Sequence, residues 1–251
     1  MQNIRYGFKI YGNHLENLSL LSVFLEKHSD RIKIVQVNFD LLESFPNRKY
    51  LIDLLTRYDL GLIIHLDDSD DLLFLSQLMS SFSSVPLVGI VMHGAVARSM
   101  KELNLHLSSI AEHYECFISV ENTKHSTNFY KKAIKKTPVL SFCFDVGHNW
   151  INKTELEKSK FLISRINMLH IHGVIKGNDH ERLSRKNRKS LVKLLSRISF
   201  DGGVVVFEIK NIFYLKREVF SEFDKLLVAS RREYREREKG QNAEQGHPPL
   251  N

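Results

Sequence analysis

Short apolar runs recur along this chain, and each is followed by a stretch with helical spacing. The runs predict strands over 4–10, 32–39, 60–66, 87–93, 116–122, 139–145, 166–173 and 203–209. Between them, apolar residues return every three or four positions, as in Leu15, Leu18, Leu21 and Leu25, and predict helices. These span 13–28, 46–58, 68–82, 95–114, 127–136, 152–164 and 185–199, with a last helix from 216 onward. Pro46 suits a first helical turn, the acidic residues from Asp68 favour the next helix's N-terminus, and Asn152 is a candidate cap. Residues 174–184 read as a longer loop.

Eight strands alternating with eight helices demand a parallel sheet. Eight such units in this length fit a closed (β/α)₈ TIM barrel better than an open sheet. Residues 1–229 are expected to form that single domain. Residues 230–251 read as a charged, disordered tail whose mixed-charge start, Arg231 to Lys239, can extend the last helix.

Composition adds bounds. The chain has 251 residues, 43% hydrophobic and 26% charged, so it can bury a core without disulfide staples. Its two cysteines, Cys116 and Cys143, fall inside predicted strands and read as buried thiols of a reducing compartment. No leader precedes the first strand, and no apolar run nears the roughly 20 residues that span a bilayer. The expectation is a cytoplasmic protein with no membrane partner. The net charge of +7 invites a nucleic-acid reading, but much of the excess sits in Arg182 to Lys193. A solvated helix face explains that better, and a basic rim attracting an anionic substrate is the sharper alternative.

The chemistry lies where the runs end. His65, His93, Glu121, Asp145, His170, His172 and Glu208 all fall at or just past C-terminal strand tips. His148 follows Asp145 across Gly147, a glycine expected to let the chain turn so that the two side chains share one cation. Taken singly, each reads as an ordinary hydrogen-bonded or capping residue. Gathered on the rim where barrels of this kind hold their active sites, their charge needs a partner. No Lys or Arg lies inside the strands carrying Glu121, Asp145 and Glu208. A divalent metal, one or two ions of Zn, Mn, Fe or Co, is the economical partner for mixed His and carboxylate donors. In the following loop, Gly177 permits a tight turn that returns Asp179 and His180 over the mouth, to act as acid and base or hold a second ion. Lys176 and Arg182 are candidates for attracting a phosphate.

The ordered set VEN at Glu121, DVGH at Asp145 to His148, HIHG at His170 to Gly173, Asp179-His180 and FEI at Glu208 resembles the xylose isomerase-like barrel superfamily. That group includes sugar isomerases, epimerases and apurinic/apyrimidinic endonucleases. Within it, the chain looks similar to cobamide-remodelling phosphodiesterases at His65-Leu66, VEN, the DxGH pattern and the stretch His170 to Leu183. The resemblance implies metal-dependent cleavage of a corrinoid's nucleotide loop, with a cobinamide phosphate as product. The residues expected to hold metal are His65, His93, Glu121, Asp145, His148, His170 and Glu208, and His172, Asp179 and His180 are expected to act in catalysis. Two departures bear on the resemblance. His65-Leu66-Asp67-Asp68 stands where an HLPLD-like stretch is expected, and Asn178 stands where the endonucleases carry an aspartate two residues before the loop histidine. A sugar or sugar-phosphate isomerase or epimerase is the second reading, and a non-enzymatic nucleic-acid-binding barrel the third.

Overall fold

A computed structural model describes residues 4–67, 72–93, 100–198, 200, 202–215 and 217–244. Ten strands are described. They are β1 (Ile4–Ile10), β2 (Ile32–Asn38), β3 (Gly61–Leu66), β4 (Leu87–His93), β5 (Phe117–Glu121), β6 (Leu140–Asp145), β7 (Ile166–Ile171), β8 (Gly173–Ile175), β9 (Asn178–Glu181) and β10 (Gly203–Phe207). Eight of them close into a parallel barrel in the order β1-β10-β7-β6-β5-β4-β3-β2. The chain is therefore an α/β TIM barrel. The other two, β8 and β9, pair antiparallel. The expected loop after β7 is thus a hairpin, turned through Lys176 and Gly177, both at positive φ, as a two-residue hairpin turn requires.

The barrel interior follows the two-residue period of the strands. Ile34, Ile63, Val91, Cys143, Met168, Val204 and Val206 form one buried cluster that plugs it. Two residues beyond the plug on the same strand face, the residue type changes. Ile34 is followed by Gln36, Ile63 by His65, Val91 by His93, Cys143 by Asp145, Met168 by His170 and Val206 by Glu208. Burial of apolar side chains below thus carries polar side chains to the C-terminal rim above. The outward strand faces pack on the helices in a larger core that includes Phe8, Leu25, Leu55, Ile118, Phe142 and Phe220.

Several helices differ from the sequence expectation. The first breaks at Asn17 into α1 (Gly12–Leu15) and α2 (Leu18–His28), because the Asn17 side chain accepts from Leu20 N–H and caps a new helix. A short α3 (Phe39–Ser44) precedes α4 (Arg48–Arg57). The helices α5 (Leu72–Ser81), α6 (Met100–His113) and α7 (Thr127–Lys136) follow. The acidic residues expected at the start of α5 lie outside the described residues.

Asn152 does not cap a helix. A helix begins directly at the tip of β6, α8 (Val146–Asn152), with Asp145 as its N-cap, and Asn152 ends it before Lys153 turns left-handed. The short α9 (Lys160–Ile163) completes that connection. The basic α10 (Arg185–Ile198) packs against α11 (Arg217–Glu244). The charged start of the tail is therefore part of the last helix, and residues 245–251 lie outside the described residues. Among the described residues, no helix is long and apolar enough to cross a membrane.

Candidate metal centre

Glu121, Asp145, His170 and Glu208 come from the tips of β5, β6 and β7 and from the residue after β10. One ligand atom from each lies within 4.8 Å of the others, and all four side chains are buried. Strand register accounts for part of this, since Asp145 is the Cα partner of His170 and Val206 pairs with His170 beside Glu208.

Three carboxylates in one buried cluster need positive charge nearby. Lys9 supplies part of it, its Nζ 3.1 Å from Glu208 Oε1. The strands that carry the carboxylates hold no cation of their own near the rim. The side chain comes instead from β1, two residues beyond Gly7, whose place a Cβ would fill 2.8 Å from Ile34 O. One ammonium against three carboxylates leaves a charge of minus two, which one divalent cation would balance with the histidines neutral.

The surroundings of His170 fit the same conclusion. Glu208 faces Lys9 and is ionised, burial raising its pKa but His170 and Lys9 carrying it well below the usual range. It therefore only accepts, so the Gln36 amide turns its NH₂ toward Glu208 Oε1 at 2.5 Å. The amide oxygen then faces His170 Nε2 at 2.9 Å. His170 Nδ1 points the other way, buried and without a hydrogen-bond partner. It stands 3.4 Å from Glu121 Oε1, 3.6 Å from Asp145 Oδ2 and 3.4 Å from Glu208 Oε1. A ring nitrogen directed at three carboxylate oxygens, too far from each to donate well, is what an ion between them would leave. The donor set fits a divalent metal.

Glu121 also reaches a second group. Its Oε1 faces His148 Nδ1 at 3.0 Å and its Oε2 meets His65 Nε2 at 2.7 Å. His93 Nε2 lies 3.8 Å from the same Oε2. Asp67, not singled out from sequence as a donor, completes this side, 3.3 Å from His65 Nδ1 and 3.7 Å from His93 Nε2. His65, Asp67 and His93 form a second set of close donors, with Glu121 between it and the first.

His148 is placed by α8, not by a free turn. Asp145 Oδ1 accepts from His148 N–H at 2.6 Å, which sets the imidazole in the first helical turn over Glu121. Gly147 is needed for space rather than for its backbone freedom. A Cβ there would fall 1.9 Å from His172 Cε1. Asn122 clamps the same corner, donating to Asp145 O at 2.8 Å and accepting from Asp145 N–H at 2.6 Å. The VEN motif thus carries a positioning asparagine beside its ligand.

Without an ion, these groups lean on one another. Burial opposes charge on His148, but Asp145 and Glu121 outweigh it and raise its pKa to about 10. Burial opposes ionisation of Asp145, yet His172 and His148 hold its pKa well below the carboxylate range. Glu121 is likewise lowered, His170 and the histidine hydrogen bonds overcoming its burial.

The hairpin brings His180 to 3.3 Å from Glu208 Oε2 and Asp179 to 2.8 Å from His180 Nδ1. Asp179 Oδ2 is 3.9 Å from His148 Nε2. Lys176 stands exposed at the hairpin turn, and the exposed Arg182 lies with its guanidinium 5.4 Å from the centre of the Tyr214 ring. The two basic side chains expected to attract a phosphate therefore sit on the hairpin's outer parts, while the buried Lys9 is the cation at the carboxylates.

No family model matches the chain, and no curated protein matches it. Among solved structures, the TTHB071 protein from Thermus thermophilus, in a form soaked with ZnCl₂, matches with TM-score 0.57 at 17% identity. That match covers 91% of this chain and 98% of that one. The YdjI aldolase from Escherichia coli K12 gives TM-score 0.48 at 8% identity, covering 93% of this chain and 89% of that one. A DUF72 family protein from Enterococcus faecalis v583 gives 0.47 at 13%, covering 90% and 96%. Both of these fits are too loose to bear on function. The TTHB071 likeness shows a shared fold, and this chain is a TIM barrel whose C-terminal rim gathers buried carboxylates and imidazoles that can hold a metal.

Proposed function

We infer that this protein is a metal-dependent hydrolase of phosphodiesters. The observation that carries the reading is the position of Glu121, one oxygen facing His148 and His170 and the other facing His65 and His93. A carboxylate shared between two donor sets suits a pair of ions. Such ions, when bound, clamp phosphoryl oxygens and lower the pKa of water enough for attack at neutral pH. Glu121, Asp145, His170 and Glu208 would hold one, and His65, His93 and Asp67 with Glu121 the other. Lys9 holds positive charge against Glu208 and offers its remaining N–H groups to an anionic group entering the mouth. Asp179 orients His180 through its Nδ1, which leaves His180 positioned to give a proton to a leaving oxygen. His148, between Glu121 and Asp179, is a third-ligand or proton-holding group.

The substrate class rests on the motif resemblance. It points to the nucleotide loop of cobamides, cleaved to a cobinamide phosphate. The second reading, a sugar or sugar-phosphate isomerase or epimerase, is favoured by the four-donor cluster taken alone, which would serve a single ion. Elemental analysis and corrinoid cleavage, measured on one preparation, separate them. Bound divalent metal and a cobinamide phosphate product that disappears in Asp145→Ala are expected. Cleavage unchanged in Asp145→Ala would overturn the site. Metal with sugar interconversion and no corrinoid cleavage would favour the second reading.

A further inference from the structure

We propose that Gln36 is a positioning residue that selects which nitrogen of His170 is offered to a metal ion. The proposal rests on the metal-centre reading above and goes beyond it, because Gln36 is no ligand and belongs to no motif.

Gln36 is fully buried on β2, two residues above the apolar plug residue Ile34. An amide there is costly unless both ends are used. Both are used, and the two uses are not interchangeable. Glu208 Oε1, already paired with Lys9, can only accept, so it takes the amide NH₂. Reversing the amide would set its oxygen 2.5 Å from a carboxylate oxygen, a repulsive contact. The amide oxygen is thereby fixed toward His170 Nε2 at 2.9 Å, and that nitrogen must donate. The His170 ring is fully buried and cannot exchange this partner for water. Its Nδ1 is left aimed at Glu121, Asp145 and Glu208 with no hydrogen-bond partner. Through one amide, a charge on β1 thus dictates the proton position on β7 across the barrel. Groups that orient an imidazole ligand from behind in this way are worth about 10- to 100-fold in metal affinity.

The test uses the full chain, with Zn²⁺ as the probe. Zn²⁺ affinity is measured by competition with a chromophoric chelator for wild type, Gln36→Met and His170→Ala. Nitrogen-15 spectra of the Zn²⁺-loaded wild type report which His170 nitrogen carries the proton. Methionine keeps the volume of glutamine and removes both hydrogen-bonding groups. Expected are a proton on Nε2 in wild type and a loss of about 10- to 100-fold in affinity for Gln36→Met. Wild-type affinity in Gln36→Met, with binding lost in His170→Ala, would overturn the proposal and leave the metal centre standing. No Zn²⁺ binding by wild type would overturn both. Should Gln36→Met fail to fold, the wild-type spectrum still decides, since a proton on His170 Nδ1 with zinc at Nε2 contradicts the proposal.

Discussion

The backbone N–H of His180 donates to Nδ1 of His172 at 3.0 Å. That bond leaves Nε2 as the nitrogen bearing the proton, and it lies 3.1 Å from both oxygens of Asp145. His172 therefore links the β8–β9 hairpin to Asp145. The His180 ring stacks on it at a centroid distance of 4.5 Å. Replacing His172 with Phe keeps the ring and removes both bonds. Faster hydrogen exchange at the His180 amide is expected, together with a loss of about 10- to 100-fold in divalent-metal affinity, as for other groups that orient a ligand. Unchanged exchange at that amide would show that the hairpin is held by other contacts.

Gly147 tests the same corner sterically. Its missing Cβ is the space that the His172 ring fills. Gly147→Ala must push that ring away from Asp145 or tilt the start of α8. A destabilisation of about 1–3 kcal/mol is expected, as for other overpacked cores. Urea unfolding of the metal-free protein measures it, and a variant as stable as wild type would mean that the corner yields freely.

Lys9→Met separates stability from metal binding. It strips Glu208 of its charged partner in a buried site, which costs about 3–5 kcal/mol for pairs of this kind. The same change makes the donor cluster more negative, so metal affinity should rise. The metal-free variant is expected to melt lower while binding Zn²⁺ more tightly. A fall in both would indicate that Lys9 holds the ligands in place rather than opposing the ion.

The pKa shifts set a pH dependence for the metal-free protein. His148 binds its proton more tightly when folded, its pKa raised to about 10 against the ordinary histidine value of about 6.5. The stability from this group is thus complete below about pH 6.5 and declines as the pH rises toward 10. The carboxylates Glu121, Asp145 and Glu208 are lowered, so their contribution is present above their unfolded values and fades in acid. A metal takes the place of the histidine protons, so loading should release protons and flatten the alkaline decline. Thermal midpoints across about pH 6 to 10, with and without Zn²⁺, check this. An alkaline decline of equal size in both would contradict it.

The fold is legible in the sequence because most barrel strands are apolar runs, and the rim is legible because six of those runs end in a group that can bind metal. What escapes the sequence has physical reasons. Lys9 and Gln36 look like polar interruptions of β1 and β2, since only barrel closure brings those strands round to Glu208 and His170. Asn152 looks like a cap, but Asp145 opens α8 seven residues earlier and makes one residue both cap and candidate ligand. The role of Gly147 depends on a ring from another strand, which no local spacing reveals. The hairpin register, Ile175 opposite Asn178, is set by the two-residue turn, and in sequence that stretch reads only as a loop.

The central claim is that Glu121, Asp145, His170 and Glu208 hold one ion in common. Crystals of the full chain grown with Zn²⁺, with data collected on both sides of the zinc absorption edge, test it most directly. The expected result is an anomalous peak at about 2.0–2.2 Å from His170 Nδ1 and from oxygens of the three carboxylates. Zinc bound only elsewhere, with these four side chains still facing one another and no peak among them, would contradict it.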